Sequence, residues 1–87
     1  MPEISRFFGL IITMYGEDHN PPHFHVQYNE FRAIIEIITG EILQGSLPSK
    51  QLKYVQVWAD IHRNELLDNF IKLNSEIKSF TKIKPLE

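Results

Sequence analysis

Three of the four histidines in this 87-residue chain, His19, His23 and His25, fall within residues 17–28, "EDHNPPHFHVQY". Imidazole is the side chain whose ordinary pKa lets it both take and give a proton near neutral pH. Such a pair suits cleavage of RNA, where the 2′-OH attacks the adjacent phosphorus and needs no outside nucleophile. In that chemistry His25 is the general base, His23 the general acid, Arg32 the phosphate clamp and Glu36 the carboxylate that fixes an imidazole tautomer. The two histidine roles are exchangeable, and His19 adds a substrate-side group on the loop.

The same residues suit two other readings. His23 and His25, two apart on a strand, present two imidazoles on one side, and His19 or Glu36 would complete a three-ligand zinc site with an open position. Asp18 and Glu17 offer a poorer set for a hard cation. In the third reading the cluster is structural or binds a partner. Pro21-Pro22 sets an extended backbone ahead of the strand, Asn20 or Asp18 ties the loop through side-chain-to-backbone hydrogen bonds, and a histidine faces Glu36 as an ordinary cross-strand pair.

The elements around the cluster decide where these groups point. Residues 24–28 and 31–38 read as strands rich in aromatic and β-branched residues, separated only by Asn29-Glu30. A two-residue turn fixes the register. Tyr28 then faces Phe31, Val26 faces Ala33 and Phe24 faces Ile35, all on an apolar face. Alternation sends Gln27/Arg32, His25/Ile34 and His23/Glu36 to the other face. His23 and His25 would lie roughly 7 Å apart along the strand, with Ile34 and Leu43 sharing their face.

Residues 7–15, "FFGLIITMY", read as one strand with Phe8, Leu10, Ile12 and Met14 on its apolar side. Thr39-Gly40 connects to a last strand over residues 41–44. Pro48 opens a helical segment in which Leu52, Val55, Trp58, Ile61, Leu66, Phe70 and Leu73 keep an approximately helical rhythm. Asn64 and Leu66-Leu67 disturb that rhythm, so one long helix or two shorter ones would fit. Trp58 reads as core and His62 as a boundary residue. The tail has no firm period. Lys50, Lys53, Lys78, Lys82 and Lys84 read as a solvated face. The expectation is an α+β domain over residues 1–87: a four-stranded antiparallel meander with one long or two short helices packed on one face.

Composition narrows the function classes. The chain is 43% hydrophobic and 11% aromatic, with a net charge of −2, unlike a disordered segment. The acidic balance counts against an extended cationic nucleic-acid surface. With no cysteine, there is no disulfide, thiolate nucleophile or thiolate zinc site. The apolar run at residues 7–15 is too short to span a bilayer and lacks a signal-peptide pattern, so a cytoplasmic protein without membrane contact is expected. A domain this short has a thin core and would gain from a partner or a second copy.

Four segments, "MPEISRFFGLIITMY", "DHNPPHFHVQY", "TGEILQGSLP" and "LKYVQVWADIHRNELLDN", together resemble the small prokaryotic domain-of-unknown-function family 4160. The block from Asp18 to His25 is the most specific part, and the distinctive residues end near Asn69. The resemblance implies a stand-alone bacterial protein, often encoded beside a second small domain of unknown function (family 2442), as in a toxin–antitoxin pair. It brings no catalytic assignment. On this combined reading the chain is one half of a toxin–antitoxin-like pair, most simply a metal-independent endoribonuclease with an antitoxin-like partner. The alternatives are a non-enzymatic partner-binding module and a His-ligated, zinc-dependent enzyme.

Overall fold

The computed structural model describes residues 2–16, 19–76 and 78–86. Five strands, β1 (Glu3–Phe7), β2 (Leu10–Thr13), β3 (His23–Tyr28), β4 (Phe31–Glu36) and β5 (Ile42–Gly45), form one antiparallel sheet in chain order. Helices α1 (Ser49–Ile61) and α2 (Arg63–Leu73) follow. The α+β class therefore holds, with five strands rather than four.

The additional strand is β1, which precedes the segment expected to be one strand over residues 7–15 and shares only Phe7 with it. Phe7 pairs with Leu10, and Phe8 and Gly9 between them have φ of 49° and 78°. Left-handed backbone at both central positions is the geometry of a tight hairpin turn whose twist matches the flanking strands. Gly9 adopts it without steric cost. Phe8 is thereby turned outward, 54% exposed, and leaves the apolar face, whereas Leu10, Ile12 and Met14 are fully buried as expected.

The β3–β4 hairpin has the expected register. Tyr28 pairs with Phe31, Gln27 with Arg32, Val26 with Ala33, His25 with Ile34, Phe24 with Ile35 and His23 with Glu36. Asn29 takes the left-handed conformation (φ 51°) that the turn needs in place of glycine. Phe24, Val26, Ala33 and Ile35 are buried. On β5 an irregularity between Ile34 and Ile35 sets Gln44 opposite Ile34 and Ile42 opposite Ile35. Leu43 is the extra residue there and is exposed, so it is Gln44 rather than Leu43 that stands across from Ile34.

Two helices replace the single rhythm because the chain bends at His62, where φ is −107° and ψ 24°. His62 Nδ1 donates to Glu65 Oε1 at 2.6 Å, tying the first turn of α2 to the residue before it. Ile61, expected on the apolar stripe, is 62% exposed, because the bend ends α1 one turn after Trp58. Val55, Trp58, Ala59, Leu66, Phe70 and Leu73 are buried and join the sheet's apolar face in one core. Trp58 sits between Phe7 and Phe24, ring centroids 5.3 and 5.9 Å away.

The aperiodic tail is an extended strap. The buried Asn69 side chain donates to Thr81 O and accepts from Thr81 N, each at 2.7 Å. Ile83 N donates to Ile4 O at 2.8 Å and Trp58 Nε1 to Lys84 O at 2.9 Å. Backbone polar groups of the tail thus find partners on both helices and on the edge strand β1, as burial beside the core requires. No helix among the described residues is long and apolar enough to cross a membrane.

Candidate functional site on the open face of the sheet

Antiparallel pairing assembles the polar face in rows across the strands. One row runs Arg6, Ile11, Gln27, Arg32, and the next runs Glu3, Thr13, His25, Ile34, Gln44. Successive rows on one face lie about 7 Å apart, and the two arginines are separated by three strand spacings, about 14 Å at the backbone. The first row, the Glu3, Thr13 and His25 of the second, and Tyr15 line an open cavity of about 290 Å³. Its wall carries Arg6 and Arg32 against one carboxylate, Glu3, so the site is locally cationic although the whole chain is acidic.

His25 is half-buried on this wall, with the Tyr15 ring edge-on to it at 4.6 Å and 89°. An edge-on partner holds the imidazole plane, and the ring's Nε2 is shielded from solvent. Arg32 is exposed and has no ion pair among the described residues, so its guanidinium is available to an anion. Arg6 is engaged differently, donating from Nη2 to Glu3 Oε1 at 2.7 Å. That hydrogen bond holds the Glu3 carboxyl below its ordinary value and raises Arg6 in turn.

His23 lies beside the cavity rather than on its wall. Its ring is 5.5 Å from His25 and 5.7 Å from Phe70 of α2. Its Nδ1 is 2.8 Å from Pro21 O, and a carbonyl only accepts, so Nδ1 carries the proton. Glu36 is its register partner across the hairpin, while the ring's orientation comes from the Pro21 carbonyl. His19 is exposed on the loop. Among the described residues no three His, Asp or Glu side chains gather as a metal-ligand set, so His19, His23 and His25 do not converge as such. Asp18 and Glu17 lie outside the described residues. His62 stands apart, stacked near Trp58 at 5.7 Å and bonded to Glu65.

Arg6, Glu3, Thr13 and Tyr15 escape a reading centred on the histidines. The missing signal is the Phe8-Gly9 turn. Once it is placed, β1 folds back beside β2, and alternation carries Arg6 to the face of Arg32. The loop is also braced from outside, since a Cβ on Gly16 would meet Leu73 O of α2 at 2.8 Å.

A family model described as "Domain of unknown function (DUF4160)" matches residues 9–70. The chain belongs to that family. The matched span carries β2 to β5, α1 and most of α2, and so contains Tyr15, His19, His23, His25, Arg32 and Glu36. Glu3, Arg6 and the strap lie outside the DUF4160 match. No curated protein and no solved structure matches the chain.

Proposed function

We propose that the open sheet face binds and cleaves RNA, and that the chain is the toxin of a cytoplasmic toxin–antitoxin-like pair. The observation that carries this reading is the convergence of His25 and Arg32 on one cavity with a second arginine on its far side. His25 would take the 2′-OH proton as O2′ attacks phosphorus. Arg32 would neutralise the charge that builds on the non-bridging oxygens. The 5′-oxygen would leave with a proton supplied by His23, giving a 2′,3′-cyclic phosphate and a 5′-OH. The two rings are edge-to-face neighbours, centroids 5.5 Å apart, which supports their acting on the same phosphodiester.

The test is growth after induced expression of the wild type, His25→Ala and Arg32→Ala at matched soluble levels. Arrest by the wild type alone is the expected result. Equal arrest by His25→Ala would remove His25 from the chemistry.

A second reading draws on His23, whose bond to Pro21 O and packing on Phe70 pin the loop to α2. Those contacts suit a non-enzymatic module whose braced loop is a binding surface. It predicts a stoichiometric partner complex without RNA cleavage.

A further inference from the structure

A second surface, on the far side of α1 from the core, has the composition of a docking site. Val57 and Ile61 are 53% and 62% exposed, one turn apart on the helix. Tyr54, half-buried at the margin of the core, continues the stripe at the preceding turn. Lys50 and Lys53 complete it toward the N-terminus, following the three-to-four-residue spacing of one helix face. Phe8 extends the apolar ridge beyond the helix, its ring 5.1 Å from that of Tyr54. Phe8 is held there by a left-handed backbone, φ 49°, a conformation that bulky residues rarely adopt. The fold thus keeps an aromatic ring outside the core at this position.

Charge separates the candidate occupants. Lys50 and Lys53 have no ion pair among the described residues. They stand at the positive end of the helix, where the first turn has no acidic residue and no side-chain cap. A second copy packed on the stripe would bring helix carboxylates that are already engaged: Asp60 with Arg63, Glu65 with His62 and Asp68 with Lys72. An anionic membrane is an extended plane and would meet the whole chain, of net charge −2. A single helix instead meets the two lysines at close range, where distant charges are screened. A foreign chain with carboxylates beside an apolar stripe satisfies both halves of the surface.

We infer that Phe8, Tyr54, Val57 and Ile61, with Lys50 and Lys53, form the docking surface for an acidic amphipathic helix of a partner protein. Apolar side chains of the partner seat against Val57 and Ile61, and its glutamates or aspartates pair with the lysines. This surface lies on α1 and the β1–β2 turn, apart from the His25 cavity, so its test is independent of any activity at the open face.

The experiment titrates the full chain with two synthetic helical peptides that share a leucine stripe and differ in carrying glutamates or lysines beside it. Binding is followed by fluorescence anisotropy and by backbone amide shifts. The expected result is at least about tenfold tighter binding of the glutamate peptide, with shifts confined to the β1–β2 turn and α1. Ile61→Asp abolishes binding at an unchanged melting temperature, and the double variant Lys50→Glu, Lys53→Glu reverses the peptide preference. Equal binding of both peptides, shifts elsewhere, or no binding by the folded wild type would overturn the inference. So would concentration-dependent dimerisation through the stripe, or association with phosphatidylglycerol vesicles in place of the peptide.

Discussion

The two faces of the sheet arise from the same strands and the same alternation, yet different forces hold them. On the covered face, Phe24, Val26, Ala33 and Ile35 pack against Trp58, Leu66 and Phe70, and each side chain is fixed by the volume its neighbours leave. On the open face, His25, Gln27 and Arg32 answer to no such constraint. Solubility alone would be met there by almost any polar residue. A half-buried histidine held edge-on by a tyrosine, with arginines on either side, is more specific than solubility requires. The difference is that packing fixes the side chains of one face, while the other carries polar groups more particular than solubility needs.

That division is broken or sharpened by substitution, beginning where the effect is largest. Trp58→Ala leaves a void between Phe7 and Phe24 and frees the Lys84 carbonyl. A loss of about 3–5 kcal/mol is expected, enough to threaten a domain of this size, and thermal melting will read it. Gly45→Ala comes next. Its backbone has φ 84°, and a Cβ would lie 2.1 Å from Arg32 O. About 2–4 kcal/mol should be lost in chemical denaturation, from the left-handed backbone and the collision together.

Asn69→Leu removes both hydrogen bonds to the Thr81 backbone. It should cost about 1–3 kcal/mol and make the strap a site of early proteolytic cutting. On the open face the balance inverts. Arg32→Ala should change stability by less than about 0.5 kcal/mol and His25→Ala by about 1 kcal/mol through the lost Tyr15 contact, while each should abolish the growth arrest expected of the wild type.

The smallest effect belongs to the exposed Glu3–Arg6 pair. Because the hydrogen bond from Arg6 lowers the Glu3 pKa in the folded state, its contribution is full above the unfolded carboxylate pKa. It is lost as pH falls through the lower, folded value. Melting of wild type and Glu3→Gln across that acidic window should therefore converge as pH falls.

The legibility of the sequence divides along the same line. Periodicity reports burial, so the β3–β4 register and the core positions Phe24, Val26, Ile35, Val55 and Trp58 are readable from the residue pattern. His25 and Arg32 come with that register, as the opposite phase of one alternation. The Phe8-Gly9 turn is hidden because phenylalanine rarely occupies a left-handed turn position, and with it go β1 and its two contributions to the cavity wall, Glu3 and Arg6. The role of Asn69 is hidden for a related reason. It sits among Leu66, Phe70 and Leu73, where only the tail's backbone, far along the chain, explains a buried amide.

The most direct measurement is the fate of a 5′-labelled single-stranded RNA incubated with purified protein in the presence of a chelator. Cleavage to 2′,3′-cyclic phosphate ends by the wild type is expected, reduced by about a hundredfold or more in folded His25→Ala. Intact RNA with the wild type, or undiminished cleavage by His25→Ala, would contradict the claim that the open face of the sheet is a catalytic surface.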